Sequence, residues 1–215
     1  MGVVALVSGG LDSLVLVQTL LRRRQTVFPL YLRCGLVWET VEVLWLKRWL
    51  VRSAHPSLRP LTILEMPLRS VYAGHWSLTG RGVPSDRSAD AAVYLPGRNL
   101  ILLSQAAIVA VGRRLSAVAI GTLAHNPFGD ASPRFFRQLA VCLRQALAAP
   151  LQIVAPLRRA TKAQLIAAWP TQPLQLTFSC VRPQGVRHCG RCNKCAERKR
   201  AFRQARVPDP TSYAN

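Results

Sequence analysis

The sequence predicts an α/β fold: a doubly wound, mostly parallel sheet with a small metal-held segment at its C-terminal end. Three observations carry that prediction. Short apolar, β-branched runs alternate with longer amphipathic stretches, and a glycine-serine turn directly follows the first run. Four of the six cysteines crowd into residues 180–195.

Val3 to Val7 is a continuous apolar run, the pattern of a strand buried on both faces. Ser8 to Ser13 turns the chain. Leu14 to Val17 with Leu20 and Leu21 then gives a helical apolar face that stops at Arg22, Arg23 and Arg24. Thr26 to Leu32 reads as a second strand, Thr40 to Arg52 as a helix and Thr62 to Met66 as a third strand. Gly74 to Ala89, rich in Gly, Ser, Arg and Pro, reads as an irregular excursion. A helix is expected from Asn99 to about Arg113 and a strand over Ala117 to Gly121. A further helix spans Arg137 to Ala149, with Leu139, Cys142, Leu143, Ala146 and Leu147 on one face. Trp38, Trp45 and Trp49 are expected in the core or an interface. The expected division is a nucleotide-binding domain over residues 1–175 and a metal-binding segment over 176–215, packed on the same domain.

Twenty-nine basic residues against nine acidic ones give a formal net charge of +20. Such a field favours anionic partners such as nucleotides, polyphosphates or nucleic acid, without choosing among them. The first apolar run is too short for a signal peptide. Leu100 to Val111 carries Ser104 and Gln105 and falls short of the ~20 residues that span a bilayer. A cytoplasmic protein with no membrane partner is therefore expected, and its cysteines are not read as a disulfide framework.

Ser8-Gly9-Gly10-Leu11-Asp12-Ser13 lies where a strand meets a helix, an anion cradle. Glycines admit backbone amides close to a phosphate, and the helix N-terminus adds free N–H donors. Asp12 suits a magnesium ion bridging phosphate oxygens better than bare phosphate. The pattern is neither G-x-x-x-x-G-K-[ST] nor G-x-G-x-x-G, which disfavours kinase-type and dinucleotide sites. The bland alternative is a Gly-Gly turn with a serine cap.

Cys180, Cys189, Cys192 and Cys195 offer four thiolates at spacings that a closed tetrahedral zinc site accepts, the mark of a structural ion. An iron–sulfur cluster is the competing reading, but the ferredoxin pattern requires a cysteine where Lys199 stands. Unmetallated thiols are the other. His188 is expected to be exposed and not a ligand.

The SGGxDS loop is similar to that of the PP-loop ATP pyrophosphatases, which adenylate their substrates. Thr177-Phe178-Ser179-Cys180, then His188-Cys189-Gly190-Arg191-Cys192-Asn193-Lys194-Cys195-Ala196-Glu197-Arg198, resembles the end of the 7-cyano-7-deazaguanine synthase family. Pro96-Gly97-Arg98-Asn99 resembles its P-x-R-N segment, and Thr161-Lys162 its lysine before a helix. The resemblance implies an adenine nucleotide alpha hydrolase-like fold and conversion of 7-carboxy-7-deazaguanine and ammonia to the nitrile in two ATP-dependent steps. It implies that Val7, Ser8, Gly9, Gly10, Leu11, Asp12, Ser13, Leu14 and Arg98 hold ATP with Mg²⁺. Asp12, Ser13, Lys162 and Arg98 would carry the chemistry, the four cysteines zinc, and a homodimer would form.

Two segments depart from the family's pattern. Arg33-Cys34-Gly35-Leu36 stands for the usual Asp-Tyr-Gly-Gln, and Ala131-Ser132 for a Cys-Arg pair, which marks a variant branch. Asn126 and Asp130 are candidates for the purine edge, with loop capping as the equal alternative. Arg33 or Arg134 is the candidate cation for a substrate carboxylate, and His125 for positioning ammonia. The competing functions are a PP-loop enzyme acting on tRNA or another target such as one in a defence system, and a non-catalytic zinc-ribbon protein gripping nucleic acid.

Overall fold

The computed structural model describes residues 1–124, 126–169 and 172–214. Five strands, β1 (Gly2–Leu6), β2 (Thr26–Arg33), β3 (Thr62–Glu65), β4 (Ala117–Ala119) and β5 (Gln152–Val154), form one parallel sheet in the order β3-β2-β1-β4-β5. The expected doubly wound arrangement is thus present. Pro29, which lacks a donor, sits in β2 between the Val27–Leu58 bridge and the β3 pairing that begins at Leu30, where no ladder bond is required of it.

Helices cover both faces. On one side α1 (Leu11–Arg22), α2 (Glu39–Arg52), α7 (Lys162–Ala168) and α8 (Asn193–Ala205) pack Leu16, Leu20, Leu46, Trp49, Ile166 and Phe202 against Val3 and Ala5. On the other, α5 (Arg98–Gly112) and α6 (Pro133–Leu147) pack Leu103, Ala107, Phe136 and Leu139 against Val4 and Leu6. Alternate residues of β1 face opposite layers, as the period of a strand requires. Trp38 and Trp49 are buried as expected, while Trp45 donates its indole N–H to the Val186 carbonyl at 2.8 Å.

Four expectations change. The first helix begins at Leu11, so Asp12 and Ser13 stand in its first turn. The excursion after β3 contains two single helical turns, α3 (Arg69–Tyr72) and α4 (Trp76–Thr79). Cys142 is exposed, because the buried stripe of α6 runs through Phe136, Leu139 and Ala140 and the helix turns Cys142 past its edge. His188 is buried, its ring 4.6 Å from Phe178 and 5.9 Å from Tyr213, with Nε2 accepting from the Ser179 amide at 3.1 Å. Burial holds its pKa down at about 3, so the ring is neutral and serves as an acceptor. No helix among the described residues is long and apolar enough to cross a membrane.

Candidate active site

Strand order reverses direction at β1, between β2 and β4, and the crevice beyond such a switch point is where open α/β sheets bind ligands. A cleft of about 490 Å³ opens there, lined by the end of β1, the glycine-serine loop, α2, residues 90–99, the turn after β4, and the starts of α7 and α8.

The loop is fixed by its own hydroxyls. The Ser8 amide donates to Ser13 Oγ at 3.0 Å, and the Gly10 amide to Ser8 Oγ at 3.3 Å. Gly9 has φ +76, and a Cβ there would lie 3.0 Å from the Glu42 carbonyl oxygen. Only glycine suits that backbone. Its carbonyl accepts from the Phe178 amide at 2.9 Å, which ties the loop to the cysteine segment. Of the expected ATP residues, Val7, Ser8, Asp12, Ser13 and Arg98 line the cleft, Gly9 and Gly10 shape the loop backbone, and Leu11 and Leu14 point into the core.

Lys162, at the first position of α7, is set in place by a Thr161–Gln164 capping box. Its Nζ lies 3.4 Å from Asp12 Oδ2 and 2.5 Å from Glu197 Oε1, and Glu197 Oε2 accepts from Lys194 at 2.6 Å. Burial alone would lower the Lys162 pKa, but Asp12 and Glu197 outweigh it and hold the ammonium charged. Burial likewise works against an ionised Glu197, and the two lysines outweigh it and lower its pKa. Burial raises the Asp12 pKa, Lys162 opposing. Asp12 Oδ1 is buried without a hydrogen-bond partner, an acceptor that a cation beside bound phosphate would satisfy. Glu197 and Lys194 were legible only as part of a cysteine motif; nothing local in the sequence connects them to Lys162.

Other candidates are dispersed. Asp130 and Asn126 line the cleft, but Asp130 accepts from the Asn99 backbone amide at 3.0 Å and its side-chain amide at 3.2 Å, fastening the start of α5. Asn126 Oδ1 accepts from the Phe128 amide at 3.0 Å. Arg33 pairs with Glu65 at 3.1 Å, and Arg134 is exposed on α6; neither is among the lining residues. His125 lies outside the described residues.

Sequence reasoning passed over Glu42, on α2, which lines the cleft and accepts from the Tyr31 hydroxyl at 2.6 Å. Burial, only partly offset by Tyr31 and Arg98 and aggravated by Glu39, pushes its pKa up to about 8 from 4.5. The folded chain therefore keeps a proton that the unfolded chain has given up. This group's contribution to stability falls as pH rises from about 4.5 to about 8. Glu42→Gln should remove a decline on the order of 3 kcal/mol across that window. Urea midpoints at pH 5 and pH 8 test this; an equal drop in variant and wild type contradicts it.

The four cysteine Sγ atoms lie within 4.8 Å of one another, and the Cys180–Cys192 and Cys189–Cys195 pairs are each 3.9 Å apart. Thiolates at ~2.3 Å from a tetrahedral zinc would be separated by ~3.8 Å, so the cluster can hold a metal such as zinc. The Arg182 and Cys189 amides donate to Cys180 Sγ, each at 3.3 Å, and the Arg191 amide to Cys189 Sγ at 3.4 Å, bonds that favour thiolates. Lys199 donates to the Gly190 carbonyl at 3.0 Å and closes the turn between two of the cysteines.

Sheet order, loop and cysteine cluster together define a PP-loop ATP-pyrophosphatase fold. Solved structures agree on the fold. A 4-thiouridine synthetase–RNA complex with bound ATP matches with TM-score 0.55 at 15% identity, over 99% of this chain and 47% of that one. A predicted subunit of tRNA methyltransferase from Methanocaldococcus jannaschii matches with TM-score 0.50 at 17% identity, over 77% of this chain and 72% of that one. The family model for queuosine biosynthesis protein QueC matches residues 2–206, and the chain belongs to that family. A 7-cyano-7-deazaguanine synthase of Desulfitobacterium hafniense is 32% identical over 205 residues, covering 93% of this chain and 90% of that protein. One from Brucella ovis is 35% identical over 152 residues, covering 64% of this chain and 65% of that protein.

Proposed function

We propose that the protein converts 7-carboxy-7-deazaguanine and ammonia to 7-cyano-7-deazaguanine, releasing AMP and pyrophosphate. The observation that carries this reading is the half-buried Lys162 between Asp12 and Glu197, beside the amide-rich loop. Family membership and the synthase relatives support the substrate. Asp12 would hold the Mg²⁺ that comes with ATP, and that ion would neutralise charge at the phosphates.

A substrate carboxylate oxygen attacks the α-phosphorus and pyrophosphate leaves. Ammonia then attacks the acyl carbon, AMP departs with the oxygen, and an amide remains. A second ATP adenylates the amide oxygen; loss of AMP and a proton leaves the nitrile. The loop amides and the Ser8 and Ser13 hydroxyls hold the β,γ-pyrophosphate, and Lys162 and Arg98 offset the negative charge that builds during transfer. Cys180, Cys189, Cys192 and Cys195 would together hold a zinc ion, which would serve as a structural brace for the C-terminal segment. The reaction belongs in the cytoplasm, where ATP is made and thiols stay reduced.

Incubation with ATP, ammonium and the purine acid should yield AMP, pyrophosphate and a product with the mass of the nitrile. ADP and phosphate as products would overturn the α-cleavage. AMP release with bulk tRNA but not with the free acid would transfer the reading to a polymer substrate.

A further inference from the structure

Five carboxyl side chains line the cleft: Asp12, Glu42, Asp90, Asp130 and Glu197. Asp130 is engaged by Asn99 through both oxygens, and Glu197 by Lys162 and Lys194. Asp90 is exposed and paired with Arg200. Asp12 sits on Lys162 at the phosphate end. Glu42 differs from all of these. It is 7% exposed, its Oε2 accepts from Tyr31, and its Oε1 has no hydrogen-bond partner among the described residues. Glu42 Oε1 is not fully enclosed and is reached from the cleft, so a ligand there can supply the donors that the protein does not.

We propose that Glu42 is the carboxylate that reads the substrate's base, accepting hydrogen bonds from the ring N–H and adjacent amino group of a guanine-like edge. The inference rests on the function proposed above and assigns to Glu42 the base-reading role for which Asp130 was the candidate. A guanine-like edge presents two neighbouring donors, which one carboxylate accepts together. Adenine presents a donor beside an acceptor, and a carboxylate meets that acceptor with repulsion.

The surroundings hold Glu42 to this task. Glu39, one helical turn earlier, is occupied in shaping the turn after β2, where it accepts from the Cys34 amide at 2.7 Å and the Gly35 amide at 2.9 Å. That turn is where the chain departs from the family's pattern. Tyr31 holds the carboxyl through Oε2, and the burial that raises the Glu42 pKa is a penalty that donors from a ligand would offset. Arg98 lines the same cleft with its Nε buried and without a partner. Its guanidinium supplies donors for the carboxylate and α-phosphate that must meet there.

Calorimetric titration of the wild type, Glu42→Gln and Tyr31→Phe with ATP and with 7-carboxy-7-deazaguanine tests the assignment. Glu42→Gln should bind the acid roughly ten- to hundredfold more weakly, because it replaces an acceptor with an amide donor, while ATP affinity stays within about threefold. Tyr31→Phe, which keeps its ring in the core, should shift the same way by a smaller factor. The wild type should also prefer the acid over an analogue lacking the 2-amino group, and Glu42→Gln should lose most of that preference. An unchanged acid affinity, or a loss confined to ATP, overturns the assignment. So does an equal loss for both ligands in Tyr31→Phe, which marks a structural effect. A wild type with no affinity for the acid overturns the proposed function as well, whereas a binding wild type with an indifferent Glu42→Gln overturns only this inference.

Discussion

Serine in place of any one of Cys180, Cys189, Cys192 or Cys195 is expected to empty the metal site and loosen the phosphate loop with it. Structural zinc can stabilise a small module by ~10 kcal/mol, far more than the packing of one short segment. The cysteine segment also holds parts of the cleft in place. The Phe178 amide, two residues before Cys180, donates to Gly9, and Glu197, two residues after Cys195, holds Lys162. Metal content should fall from one per chain to near zero, and the Phe178 amide should lose protection from hydrogen exchange. Full metal content in the variants, or iron in the wild type, would show the assignment to be wrong. Cys142→Ser should leave the metal in place, since that thiol is exposed on α6, away from the cluster.

Lys162→Ala should reduce turnover by at least a hundredfold and destabilise the fold. Removing one donor from a site that stabilises transition-state charge costs about two to three orders of magnitude in rate. Two carboxylates, Asp12 and Glu197, would then face each other around an empty space. Glu197 would keep Lys194, so the cost falls mainly on Asp12 and is about 1–2 kcal/mol. Single-turnover AMP formation and urea midpoints measure the two effects separately. A Lys162→Ala enzyme with ordinary turnover would exclude the lysine from phosphoryl transfer.

Features legible in the sequence were those written in neighbouring residues. The SGGLDS loop, the strand before it and the cysteine spacing each occupy one short stretch, and periodicity marks the long helices. What escaped depends on distant partners. Tyr31 and Glu42 meet across a strand and a helix, Glu197 reaches Lys162 from another element, and Asn99 claims both Asp130 oxygens. None of these pairings leaves a local pattern. Helix α8 was hidden for another reason. Its composition is polar, and it is held by Cys195, Ala201, Phe202 and a buried Arg198, which donates to Thr177, Thr211 and the Leu174 carbonyl. Strand β5 is three residues long and offers too few positions to show a period.

The Phe178–Gly9 hydrogen bond joins the turn after β1 to the segment just before the cysteine cluster, which is made much later in synthesis. Contacts so far apart in sequence form late in folding, since the intervening loop must close first. During synthesis, β1, β2 and α1 can therefore assemble while the nucleotide cradle is still unfinished. A nascent or truncated chain would lack both the clamp on Gly9 and the carboxylate that steadies Lys162. A chain that stops short of the cysteine segment would therefore lack a finished loop, and the proposed use of ATP would wait until that segment has folded back onto Gly9.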